Sequence, residues 1–147
     1  MTGLTASLRL LTSALAMSLA TAPAWAEEPA PAPALTLELN GAQPSDKGCR
    51  LTFVVTNGLG ADLGKAAFEI ALFNDAGVVD RLTVLDFKDL PKGKTKVTRF
   101  DLAGTDCGKI SRVLVNSATQ CEGTGVDPND CTRQLKTETK AKIAFGV

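Results

Sequence analysis

Phe68-Glu69-Ile70-Ala71-Leu72-Phe73-Asn74-Asp75-Ala76-Gly77 is the stretch that decides the fold. On an extended chain Phe68, Ile70 and Leu72 fall on one side, while Ala67, Glu69, Ala71 and Phe73 fall on the other. That period of two marks a strand. Asn74-Asp75-Ala76-Gly77 then supplies a hairpin turn, with glycine free to take a positive φ. Toward the N-terminus, Cys49, Leu51, Phe53 and Val55 alternate with Arg50, Thr52, Val54 and Thr56, and Leu35, Leu37 and Leu39 alternate with Thr36, Glu38 and Asn40. Toward the C-terminus the pattern predicts strands over 78–87 and 94–102, separated by the turn Leu90-Pro91-Lys92-Gly93. Val97 is out of phase with Phe100 and Leu102, which a bulge near Thr98 would reconcile. A sixth strand is expected over 110–116. A seventh is expected over 140–147, with Ala141, Ile143, Phe145 and Val147 on one face. Between these two, Asp127 suits an N-cap and Pro128 a first helical position, so one short helix is expected over 128–135 with Cys131 and Leu135 on one side.

Seven short strands punctuated by turns predict an all-β chain, an immunoglobulin-like β-sandwich of about seven strands with one short C-terminal helix. The sandwich domain occupies 35–147. Before it, Glu27-Glu28 and the Pro-Ala repeat read as an extended spacer over 27–34. Residues 1–26 have the parts of a secretory signal peptide: the lone charge Arg9, an apolar run from Leu10 to about Ala20, and the small-x-small site Ala24-Trp25-Ala26. Cleavage is expected between Ala26 and Glu27. The apolar run is shorter than the roughly 20 residues that span a bilayer, so no membrane span is expected in the mature chain. The expected location is periplasmic or secreted.

Composition closes several chemistries. The 147 residues include 16 basic and 16 acidic side chains, no histidine and no tyrosine. A balanced charge gives nucleic acid no electrostatic hold. Loss of the signal would also remove Met1, Met17 and Trp25, leaving a mature chain without histidine, methionine, tryptophan or tyrosine. Histidine-dependent catalysis then has no base, and zinc and copper lose imidazole and thioether ligands. Sugar stacking loses its best aromatic platforms. No cofactor, metal site or catalytic residue is expected.

The four cysteines, Cys49, Cys107, Cys121 and Cys131, are separated by 57, 13 and 9 residues, spacings that suit neither a redox pair nor a four-thiolate zinc site. In an exported chain they read as two disulfides. In an up-and-down succession the second and sixth strands run parallel, so Cys49 and Cys107 start at the same end of the sandwich. That favours Cys49 with Cys107 and Cys121 with Cys131, with the other two pairings still open.

From Leu51 to Leu102 the chain resembles the FxLYD-type β-sandwich of secreted bacterial proteins. The matching features are a strand ending in Asn (Val54-Val55-Thr56-Asn57), an apolar strand leading to Phe73-Asn74-Asp75-Ala76-Gly77, the Leu90-Pro91-Lys92-Gly93 turn and Phe100. Asn74 before the aspartate and Lys92 between proline and glycine depart from that pattern. The whole chain also resembles small periplasmic proteins with a β-rich, four-cysteine layout. The resemblance implies an interaction or surface module without catalytic residues; separately, the expected partner is another envelope protein.

Other candidates are weaker. Gly58-Leu59-Gly60 with Gly64 is followed by a strand pattern, so no helix N-terminus would meet a phosphate. Asp127, Asn129 and Asp130, or Asp101, Thr105 and Asp106, offer oxygens for calcium without EF-hand spacing. Lys92, Lys94 and Lys96 would share one strand face, either blunting a sheet edge or meeting an acidic partner. Val54, Ala67, Ala71 and Phe73 are expected to form a small exposed apolar patch that receives a partner. The sequence therefore predicts an exported, non-catalytic interaction or accessory module. A carboxylate-dependent hydrolase and a calcium-dependent binding module stand as alternatives, and the oligomeric state is not legible.

Overall fold

The computed structural model describes residues 29–147; the expected signal peptide and the Ala26–Glu27 cleavage site lie outside the described residues. Pro29 to Ala34 form no secondary structure, and the chain enters its first strand at Leu35. Eight strands follow: β1 Leu35–Ser45, β2 Gly48–Asn57, β3 Leu63–Phe73, β4 Val79–Leu90, β5 Thr95–Ala103, β6 Arg112–Glu122, β7 Leu135–Thr139 and β8 Ala144–Gly146. They form two four-stranded sheets, ordered β5-β2-β1-β7 (sheet A) and β4-β3-β6-β8 (sheet B). The runs β1-β2-β5 and β4-β3-β6 follow the strand succession of immunoglobulin-type sandwiches. The C-terminal strands depart from it, because β7 lies parallel to β1 and β8 parallel to β6.

The inward residues are those the alternation predicts. Leu35, Leu37, Leu39, Cys49, Leu51, Phe53, Val55, Phe68, Ile70 and Leu72 are each at most 2% exposed. Five of the six phenylalanines meet edge-to-face across the two sheets. Phe53 of β2 lies 5.6 Å from Phe87 and from Phe145, and Phe87 lies 5.0 Å from Phe100 and 5.9 Å from Phe68. Such pairs prefer offset or T-shaped contact, which fixes side-chain positions as well as burying area.

Three expectations are corrected. β5 pairs with β2 in unbroken register from Thr95 to Ala103, so no bulge exists at Thr98 and Val97 points outward at 58% exposure. Residues 140–147 do not form one strand. The chain leaves sheet A after Thr139, crosses between the sheets over 140–143 and joins sheet B as β8. Ile143 and Phe145 still face the core, whereas Val147 is 71% exposed. The helix is one turn, Asp130–Arg133 (α1), because Leu135 already pairs with Leu35. Its expected cap, Asp127, accepts the Asn129 N–H one residue outside the helix.

Both ends of the sandwich are pinned. Disulfides join Cys49 to Cys107 and Cys121 to Cys131, the expected pairs. Gly48 beside the first takes φ +149°, and a Cβ there would come within 2.3 Å of the Leu102 carbonyl oxygen, so only glycine fits. At the other end Asn57 is fully buried. Its Nδ2 donates to the carbonyls of Leu90 (2.7 Å) and Ala61 (2.9 Å), its Oδ1 accepts from the Leu59 N–H, and its own carbonyl accepts from Gly93.

The two disulfides close loops of 58 and 10 residues, worth about 4 and about 2.7 kcal/mol on the chain-entropy account. Urea unfolding should therefore rank the Cys49→Ser/Cys107→Ser protein below the Cys121→Ser/Cys131→Ser protein; the reverse order would contradict it. Asn57→Leu leaves two carbonyls and one N–H without their partner, the Leu90 carbonyl in a buried site. It should cost about 2–4 kcal/mol in the same measurement, although it adds apolar surface to a buried site.

Candidate interaction surface

The outer face of sheet B is built by a register shift. Leu72 pairs with Arg81 but Phe73 pairs with Val79, so Asp80 is an extra residue in β4. That bulge turns Val79 to the same outward side as Leu82 and Val84. The three are 48%, 56% and 53% exposed, and Val78 beside them is 58% exposed. Leu82 stands in register with Ala71, which stands in register with Leu114 of β6, so an apolar row crosses three strands.

Of the four residues expected to form an exposed patch, none does so as expected. Ala67 and Ala71 are on the outward side of β3 yet only 1% and 3% exposed. A methyl group is too short to emerge between its cross-strand neighbours, Asp86 and Gln120 at Ala67, Leu82 and Leu114 at Ala71. Phe73 is half-buried, with the Arg112 guanidinium 5.3 Å from its ring centroid. Val54 belongs to the other sheet, between Glu38 and Val97, and cannot join the rest. The exposed apolar side chains are those of β4 instead. Their signal was the run Leu82-Thr83-Val84-Leu85, apolar on both faces where a one-sided strand would alternate cleanly.

The outer face of sheet A is mostly polar, with Val54 and Val97 in register as an apolar pair on it. Thr36, Thr56 and Thr95 stand side by side across β1, β2 and β5, and Arg50 grips Asp101 through two hydrogen bonds of 2.9 and 3.1 Å. This pair occupies both carboxylate oxygens of Asp101. Asp106 caps the 3-10 turn Cys107–Lys109 by accepting the Gly108 N–H. In the other oxygen-rich turn, Arg133 bridges Asp127 (3.0 Å) and Asp130 (3.1 Å). Among the described residues no group of three or more His, Cys, Asp or Glu is arranged to hold a metal ion. Of the three lysines, only Lys96 lies on a strand. It reaches across the edge to the Asp89 carbonyl (2.9 Å) and carboxylate, while Lys92 and Lys94 belong to the turn.

Two clefts flank the 3-10 turn. One, of about 390 Å³, brings Asp80, Asp106 and Lys109 over Phe73 and Ile110. The other, of about 550 Å³, lies between the second half of β1 and residues 140–143. No family model matches the sequence, and neither a curated relative nor a solved structure matches it.

The Arg50 hydrogen bonds hold the Asp101 carboxyl below its ordinary value of 3.8. A depressed folded value means the pair contributes stability above the ordinary range and loses it as pH falls through the folded value. In Arg50→Met, an NMR titration should find Asp101 moved upward toward 3.8, with less acid sensitivity of unfolding. An unmoved Asp101 would show that the arginine is not the cause.

Proposed function

We propose that the protein works outside the cytosol, periplasmic or secreted, as a non-catalytic interaction or accessory module that docks another envelope protein on the outer face of sheet B. One observation carries this reading: three large apolar side chains of the edge strand β4, Val79, Leu82 and Val84, stand about half-exposed, and Val78 just before the strand is exposed as well. Contiguous exposed apolar surface is costly in water and marks docking sites more often than chance. Two disulfides support an oxidising, extracellular setting. Among the described residues no helix is long and apolar enough to cross a membrane. The FxLYD-type resemblance points the same way, toward a surface module.

A second reading, a carboxylate-dependent hydrolase, has the pairing of Asp80 and Asp106 in one cleft on its side. It ranks below the first because Asp106 is engaged in capping the 3-10 turn.

A photo-reactive side chain placed at Leu82, in protein exported to its native envelope, should give a discrete adduct. The same group at Val97, equally exposed on the opposite outer face, should not. Adducts of equal yield at both positions, or at neither, would remove sheet B as the docking face.

A further inference from the structure

β1 has eleven residues and two unequal neighbours. β2 pairs with all of it, from Leu35 to Ser45, whereas β7 pairs only from Leu35 to Leu39. At Lys140 the chain turns away, its N–H still bonded to the Leu39 carbonyl. Among the described residues the lane beside Asn40–Ser45 therefore has no strand in it, and the 550 Å³ cleft lies along it from Asn40 to Pro44. Six residues at about 3.3 Å each leave roughly 20 Å of open edge.

The edge groups follow from the ladder. Ser45 and Gly48 flank the two-residue loop Asp46-Lys47, and such flanking pairs bond each other. Alternation then assigns Gln43 and Gly41 to β2, leaving Ala42 and Pro44 turned into the lane. The register shift between Leu39 and Gly41 reconciles this with Leu35 and Leu39, which bond on the β7 side. Ala42 thus offers an N–H and a carbonyl, and Pro44 a carbonyl alone. The floor is apolar, with Ile110 and Ile143 each 7% exposed. The charged lining is Lys140 and Lys142, without a carboxylate. Lys140 also touches Glu38 at 3.3 Å but keeps 68% of its side chain exposed.

We infer that this lane receives an extended segment of a partner protein in which carboxylates alternate with apolar residues, added beside β1 as a further strand. Backbone bonds to Ala42 and Pro44 hold it, its apolar side chains cover Ile110 and Ile143, and its carboxylates meet Lys140 and Lys142. The missing N–H of Pro44 keeps the ladder to about three bonds, so the contact is weak and reversible. The inference is independent of the outer face of sheet B.

The probe is the blocked hexapeptide Glu-Val-Glu-Val-Glu-Val, titrated into the disulfide-bonded protein while backbone amides are followed by NMR. Saturable shifts should be confined to 40–45 and 140–143. K140Q/K142Q should weaken binding at least about tenfold, and a backbone-methylated peptide of the same sequence should not bind. The inference is overturned by shifts elsewhere, by no saturation at millimolar peptide, by equal binding of the methylated peptide (charge contact without strand addition), or by unchanged affinity in the variant. Each outcome leaves the Leu82 photo-adduct unaffected, so the two readings fail separately.

Discussion

Strand β2 is fixed at both ends, and the rest of the sandwich is hung on it. Cys49 near its start is bonded to Cys107, which anchors the crossover from β5 to β6. Asn57 at its end is buried and holds the end of β4, the loop after β2 and the turn before β5. Both anchors hold points where the chain passes from one sheet to the other. Between them Leu51, Phe53 and Val55 face the core without interruption. The amide of Asn57 is the polar counterpart of the disulfide: it gains little over water when bonded, yet leaving its partners unbonded would be expensive. This gives a physical reason for an asparagine at the end of that strand.

Legibility in the sequence followed how continuous the buried face of each strand is: β6, with a broken pattern, was expected over 110–116 but runs from Arg112 to Glu122. β1, β2 and β3 have a buried face, so alternation revealed them, and the cysteine pairing followed from strand direction. Edge strands obey weaker rules. On β5 the inward positions Lys96 and Thr98 are polar, so Val97 looked misplaced when it was simply outward. Leu135 fits a helix face by its spacing from Cys131, yet pairing with Leu35 outweighs that local preference. For the interaction surface, which side chains sit outside was readable, but whether they emerge was not. Ala71 lies on the right face and stays buried because its neighbours are longer.

The two outer faces differ in kind. Sheet A presents threonines and an arginine–aspartate pair, which water solvates well, around the exposed Val97. Sheet B presents Val79, Leu82 and Val84 on an edge strand, bounded by Arg112 over Phe73. The bulge at Asp80 contributes to both features of that end, since it turns Val79 outward and places the Asp80 side chain in the neighbouring cleft.

The edges sharpen the contrast. Along the β4–β5 side, Arg81 points inward to the Ala103 carbonyl and Lys96 to those of Phe87 and Asp89, so cations cover acceptors that a foreign strand would need. Lys88, held at φ +64° by the Asp86 carboxylate, bends the same edge further. These devices are what edge strands use against indiscriminate pairing. Beside the second half of β1, Pro44 shortens a ladder without closing it, and Lys140 and Lys142 line the lane without filling it. On the inferred strand addition, a fold that guards one side with three charged side chains and leaves the other with a proline and two exposed lysines, Lys140 in contact with Glu38, selects at that lane: it disfavours basic and long strands and admits short acidic ones.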